Sequence, residues 1–287
     1  MTSSVRTIAR FGLQEALRRR VFVVVACLTV AYLVLYGLGT WEAYKAVDRT
    51  AGGTALAGVE PDIVAGATLL GLNMFGTVFL GTILAVFLTL GAVRGDAERG
   101  LLQPLLVRPV PRRTLLVARF AAAAAVCAAY VIVVFLAATV ITWALGGWWP
   151  DHVVVPALEL AGAVAILCAM SLAGSVVLAS TANGIAVFMV FGAGLVAGLL
   201  GQIGEALGSG TLQDVAKISS WALPFEALYQ AALAAITSDT VGFTRLAIDL
   251  GPFGGAQEFG PLLWPWAVAY VAIVGALALR AFTRRDL

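Results

Sequence analysis

The hydrophobic and polar positions along the chain divide it into six long apolar segments. They lie near Val21–Leu38, Ile63–Val93, Leu115–Leu145, Val153–Ser180, Ile185–Leu200 and Leu262–Phe282. Each reaches or approaches the roughly 20 residues that a helix needs to cross the hydrocarbon core of a bilayer. None shows the alternation of apolar and polar residues that strands of a membrane barrel require. The pattern therefore predicts an all-α integral membrane protein with six transmembrane helices, and residues 1–287 form a single transmembrane domain.

Composition supports this interpretation. Apolar residues make up 61% of the chain and charged residues 12%, and the mean hydropathy is +0.97. Soluble domains average about a quarter charged residues. Because so few charged side chains could not cover a globule of this size, we expect membrane lipid around the protein and no nucleic acid as a partner.

The basic residues gather on one side of the six predicted spans. They precede the first span, follow the second and end the chain: Arg6, Arg10, Arg18, Arg19, Arg20, Arg94, Arg99, Arg108, Arg112, Arg113, Arg119, Arg280, Arg284 and Arg285. Loops that stay in the cytoplasm carry an excess of Lys and Arg. We therefore expect a multi-pass protein of the cell membrane with both termini in the cytoplasm.

The longest segment outside the predicted spans is an outer loop over about residues 202–261. Within it, Phe225–Ile236 is apolar but too short to span a membrane comfortably. Glu226 and Gln230 lie one helical turn apart in this piece. These features favour an interfacial or re-entrant helix.

Residues that could carry covalent chemistry are scarce. The sequence contains no GxxxxGK[ST] motif, its single His152 has no neighbouring Cys or His, and its three cysteines fall in apolar segments. We therefore predict no catalytic residues, no metal site and no enzyme activity. Asn73 and Glu159 lie within predicted spans. Such polar groups are candidates for a substrate path, although an interhelical hydrogen bond for Asn73 and a site near the membrane surface for Glu159 are the alternatives.

The loop between the second and third predicted spans combines charge with an apolar stripe. Leu101, Leu102, Leu105 and Leu106 recur at helical spacing, and Pro104 interrupts them. A basic loop that only fixes topology would explain the arginines but not the leucines. An apolar stripe bordered by charge is more typical of a docking surface.

This loop resembles a loop of ABC-transporter permeases of the type-two exporter family. The residues that carry the resemblance are Glu98-Arg99-Gly100, Leu105-Leu106, Arg108-Pro109-Val110, Arg112-Arg113, Leu115-Leu116 and Arg119-Phe120. The segment from Glu15 to Arg20 is similar to the family's amphipathic elbow helix, and Leu223–Leu228 to its proline-containing outer element. The layout and the Arg284-Arg285 terminus are also similar to the copper-enzyme-maturation permease subfamily.

The resemblance implies a membrane-spanning permease subunit of an ATP-driven exporter. In such a transporter a separate ABC ATPase subunit binds ATP and Mg²⁺, this chain holds no cofactor, and two copies of the permease form a homodimer. The inner loop would be a cytoplasmic coupling helix, with the ATPase contacted by Glu98, Arg99, Gly100, Leu102 and Leu105. A secondary transporter or channel that works without ATP is the alternative.

Overall fold

The computed structural model describes residues 20–50, 61–89, 112–237, 257 and 259–284, and every regular element within these ranges is an α-helix. The helices are α1 (Arg20–Thr50), α2 (Pro61–Thr89), α3 (Arg112–Gly146), α4 (Val154–Val177), α5 (Ser180–Ala206), α6 (Gly210–Ala222), α7 (Pro224–Thr237) and α8 (Leu263–Thr283). The predicted elbow helix and the predicted coupling residues Glu98, Arg99, Gly100, Leu102 and Leu105 lie outside the described residues.

Six of these helices, α1 to α5 and α8, are long and apolar enough to cross a membrane. The predicted all-α membrane fold is thereby confirmed. Two helices extend well beyond their apolar segments. The α1 helix continues past Leu38 to Thr50, where Lys45 lies over the Trp41 ring and pairs with Glu42 at 3.5 Å. The α5 helix runs to Ala206 because α6 packs along its glycine-rich end.

Contacts between side chains show how the helices run relative to one another. The Thr29 hydroxyl of α1 lies 2.5 Å from the Tyr130 hydroxyl of α3, and further along both helices the Tyr36 hydroxyl lies 2.6 Å from Thr142 Oγ1, so α1 and α3 run in parallel. Thr89 of α2 and Ser171 of α4 share a hydrogen bond of 2.6 Å, so the C-terminal parts of these two helices lie side by side. One end of the bundle therefore holds Arg113, Arg119, Arg280 and Arg284, and we call it the arginine end. The opposite end, the tryptophan end, holds Trp41, Trp148, Trp149, Trp264 and Trp266.

The α4 helix lies at the centre of the bundle and packs against α2, α3, α7 and α8. Its Leu160, Val164 and Leu167 are fully buried. Small residues allow this close approach, since a Cβ at Gly81 of α2 would lie 2.7 Å from Val131 of α3 and 3.0 Å from Val164. Helices in lipid associate through such tight packing, because apolar burial alone gives little advantage there.

The outer helices turn large apolar side chains away from the bundle. On α1, α5 and α8 these include Leu35, Met189 and Val268, whose exposed fractions are 68%, 70% and 66%. A soluble protein of this size would rarely present so much continuous apolar surface. Hydrocarbon is the solvent that fits these three faces.

The segment assigned from the sequence to an outer loop contains two helices instead. The α5 helix ends at a glycine turn in which Gly208 adopts φ +62° and Ser209 N donates to the Gly204 carbonyl. The chain then reverses, so that α6 packs antiparallel along α5, with Ala216 beside Gly201 and Leu212 beside Gly204. A second reversal at Leu223 starts α7, and α6 and α7 together form a helical hairpin. The short helix predicted over Phe225–Ile236 corresponds to α7, whereas α6, with 13 residues, is too short to be found as a span.

The connection between α4 and α5 also differs from the expected one. It consists of Leu178 and Ala179 with extended backbone, whereas residues 181–184 belong to the first turns of α5. Asn183 fixes this arrangement because its Nδ2 donates to the Ser171 carbonyl of α4 at 2.9 Å. The loop expected at residues 181–184 is therefore helical, and the Asn183 side-chain amide holds it against α4.

Candidate functional site

The interior of the bundle contains five polar side chains that stand out among apolar neighbours. They are Asn73 and Thr77 on α2, Glu159 on α4, and Glu226 and Gln230 on α7, and none is more than 7% exposed. We call them the core polar residues. A buried polar group that makes no hydrogen bond costs roughly 1–3 kcal/mol. Such groups are therefore where a function inside the bundle should be sought.

Asn73 joins α2 to α1. The Tyr32 hydroxyl lies 3.0 Å from Asn73 Oδ1 and 3.2 Å from its carbonyl oxygen. Gly76 makes room for this contact, because a Cβ there would collide with the Tyr32 ring. Asn73 Nδ2 and the nearby Thr77 Oγ1 have no hydrogen-bond partner among the described residues. The α2 helix thus offers one free donor and one free hydroxyl, a turn apart, inside the bundle.

Glu226 and Gln230 form a second polar pair on α7. Gln230 Nε2 donates to Glu226 Oε1 at 3.3 Å, and Gln230 Oε1 has no partner in the described part of the chain. The pair packs on the backbone of α5, since a Cβ at Gly198 would lie 2.5 Å from Glu226 Oε1 and 2.7 Å from Gln230 Nε2. Burial raises the pKa of the Glu226 carboxyl to about 8, and the bond from Gln230 opposes this shift.

Glu159 lies in the second turn of α4 and is 7% exposed. Its Oε2 has no hydrogen-bond partner within the described ranges. The structure does not join it to Asn73 by a hydrogen bond, because Asn73 Nδ2 is also without a partner there. The two residues selected from the sequence therefore belong to different helices of the same core and make no direct polar contact.

Glu226 and Gln230 are buried in the core, which their sequence pattern did not predict. Both were recognised as polar residues one turn apart, but the helix that carries them was expected at the membrane surface or re-entering it. The signal that could have placed them was Pro224, a good first residue for a helix, followed by an otherwise apolar run. A short helix so poor in charge is typical of a buried position.

Groups that could hold a metal ion do not occur among the described residues, where no three His, Cys, Asp or Glu side chains come together. The three cysteines are free thiols, and Cys127 and Cys168 are buried in the apolar core.

A comparison with protein-family models gives the class of protein. The model described as "ABC-2 family transporter protein" matches residues 6–287. The chain belongs to this family. As an ABC-2 permease it is the membrane subunit of an ABC transporter, is not itself the catalytic subunit, and has an ABC ATPase as its partner. No curated protein matches the chain.

As a member of this family, the chain is a membrane subunit for transport and has an ABC ATPase partner. The residues predicted to contact that partner are outside the described ranges, so the core polar residues are the candidate site that the structure can describe.

Proposed function

We propose that this ABC-2 permease is the membrane subunit of an exporter driven by a separate ATPase subunit, and that two copies form the working transporter. The family match over residues 6–287 carries the proposal. The absence of a GxxxxGK[ST] motif from the sequence supports ATP and Mg²⁺ binding on another chain. The Arg284-Arg285 pair and the order of the spans support the copper-enzyme-maturation subfamily.

The arginine end is proposed to face the cytoplasm, where the ATPase would dock. The described arginines Arg113, Arg119, Arg280 and Arg284 lie at this end, whereas Arg49 lies at the tryptophan end, and this bias agrees with the positive-inside rule. The α2 helix ends there at Thr89 and α3 begins there at Arg112, so residues 90–111 are attached at this end. The apolar stripe and charges of that segment support Glu98, Arg99, Gly100, Leu102 and Leu105 as the coupling contact.

Charge reversal tests the coupling contact. Glu98→Arg should uncouple ATP hydrolysis from transport by the complex in proteoliposomes, because a carboxylate in a docking groove would become a repelled cation. We expect transport to fall at least tenfold while the amount of protein inserted in the membrane stays the same. Glu205→Arg, an exposed carboxylate near the end of α5 at the tryptophan end, is the matched control. Normal coupling in the Glu98 variant would refute the contact, and transport without ATP would refute the exporter.

Three of the core polar residues, Asn73, Thr77 and Glu159, are proposed to line the path of the substrate. Asn73 and Glu159 were selected for this role from the sequence, and the unpartnered Asn73 Nδ2, Thr77 Oγ1 and Glu159 Oε2 support it. A path through a bundle needs polar groups that the resting protein does not already use.

Removing one acceptor from this path should alter transport more than stability. Glu159→Gln keeps the size of the side chain and relieves the cost of burying a carboxyl group. We therefore expect equal or greater thermal stability together with a several-fold change in the KM of transport. Ser220→Ala on the exposed face of α6 is the control, since it removes only a bond to the Lys217 carbonyl. An unchanged KM for Glu159→Gln would exclude Glu159 from the path.

A further inference from the structure

A groove of about 330 Å³ runs along the surface of the bundle near its arginine end, between α3, α4 and α8. One wall is formed by α3, the floor by α4 and the other wall by α8. The lining residues are Arg113, Leu116, Val117, Phe120, Ala169, Leu172, Ala173, Val271, Ala272, Gly275, Ala276, Ala278 and Leu279. All three helices are candidate membrane spans, so the groove opens into the region where lipid surrounds the protein.

Small residues create the groove. On α4 the floor is made by Ala169 and Ala173, and on α8 Ala272, Gly275 and Ala276 leave the wall low. A Cβ built on Gly275 would meet no atom within 4 Å. Toward the arginine end, the lining residues Leu116, Leu172 and Ala278 pack with Phe282 in a separate apolar cluster. We call this groove the slot.

Among the described residues, Arg113 is the only charged one that lines the slot, and its side chain is exposed. A guanidinium group at the rim of an apolar slot is complementary to a ligand with one long apolar part and one anionic group. Arg pairs with phosphate through two parallel hydrogen bonds. Basic sites between membrane helices are known places for anionic lipid head groups, particularly on the cytoplasmic side.

We propose that this groove binds an anionic phospholipid, with one acyl chain between α3 and α8 and the phosphate on Arg113. The proposal holds whichever substrate the transporter moves, and it does not depend on the coupling contact. A helix of a second copy would leave Arg113 without an anionic partner unless it carried an acidic residue at the height of Arg113. The lipid needs no such coincidence, because every molecule of it carries the charge at the end of the chain.

Native mass spectrometry of the full-length protein can measure this binding with two probes, phosphatidylglycerol and phosphatidylcholine. We expect wild-type protein to retain phosphatidylglycerol preferentially. Arg113→Gln should weaken phosphatidylglycerol binding about tenfold and leave phosphatidylcholine binding unchanged, since one charge-assisted contact is lost. Gly275→Phe should fill the slot and abolish both, whereas Gly192→Phe on α5, which also faces open space, should change neither.

The same measurement shows how the proposal could fail. Unchanged phosphatidylglycerol binding in Arg113→Gln, or unchanged lipid binding in Gly275→Phe, would overturn it. A Gly275 variant that loses a dimer while it keeps its lipid would show that a second copy occupies the slot. Should Gly275→Phe not fold, Gly275→Leu and Arg113→Gln decide the matter, because Arg113 is exposed and its replacement disturbs no packing.

Discussion

The two arms of the hairpin, α6 and α7, have nearly the same length and opposite environments. The α6 arm has 13 residues and none of them is buried. The α7 arm has 14, and from Pro224 to Ala234 every residue is buried. Asp214 and Lys217 of α6 are exposed, while Glu226 and Gln230 of α7 are 2% and 3% exposed. One tight turn at Leu223 thus joins a surface helix to a core helix.

The difference shows that the position of a polar residue, and not its presence, decides how much a substitution there changes the stability of this bundle. The α7 helix is enclosed by α4 on one side and by α2, α5 and α8 on the others. The α6 helix leans on α5 and is held at its end by Trp266, whose Nε1 donates to the Trp221 carbonyl at 2.9 Å. The α6 helix can shift to accommodate a substitution, whereas a substitution on α7 has to be accommodated by the helices that enclose it.

The largest difference between the arms is expected for charge reversal. Glu226→Arg places a longer cation, which has no facing carboxylate in the described structure, in the centre of the bundle. An unpaired buried charge costs several kcal/mol, so we expect little or no folded protein by size-exclusion chromatography. Asp214→Arg on the exposed arm is the matched change and should give wild-type yield. Equal yields from the two variants would show that α7 is not a core helix.

Larger side chains on α5 that face the two arms should lower the stability of the protein by an intermediate amount. Gly194→Leu directs a side chain at Phe225, whose ring a Cβ would already approach to 2.5 Å. The cost is about 1–3 kcal/mol, because α7 cannot retreat from α5. Gly204→Leu meets Leu212 and the backbone of Gln213, but there the exposed α6 arm can move away. Gly192→Leu meets nothing within 4 Å and serves as the control.

Thermal unfolding of the three glycine variants in detergent measures this order. We expect the melting temperature to fall most for Gly194→Leu, less for Gly204→Leu and least for Gly192→Leu. A larger fall for Gly204→Leu than for Gly194→Leu would mean that α6 is the more firmly held arm, and would reverse the comparison.

The hairpin also shows how much of the fold the sequence alone predicts. Long apolar runs predicted six spans correctly, because a run of about 20 apolar residues has few other uses. The same criterion could not place α7, since a buried helix of 14 residues and an interfacial one share the same apolar content. The residues that contact its polar pair could not be identified either, because the groups that surround Glu226, such as Gly198 of α5, are remote in sequence. Only the packing of α5 against α7 brings them together.

A smaller difference between the arms should appear as a dependence of stability on pH. The α7 helix is not one of the six candidate spans, and burial raises the pKa of Glu226 from 4.5 to about 8. Between these values the folded protein holds a proton that the unfolded chain has released. Stability therefore falls as the pH rises from about 4.5 to about 8, by up to about 1.4 kcal/mol per pH unit. Below this window both states are protonated, and above it the loss is complete.

Glu226→Gln removes this contribution and keeps a neutral side chain of nearly the same shape beside Gln230. Between pH 6 and pH 7 we expect the melting temperature of the wild type to fall by a few degrees more than that of the variant. At pH 5 the two proteins should differ least, because the wild-type carboxyl is then mostly protonated in the fold. Asp214→Asn on the exposed arm should follow the wild-type curve. Parallel curves for wild type and Glu226→Gln would show that water reaches Glu226, and α7 would then be the lining of an aqueous path instead of a dry core helix.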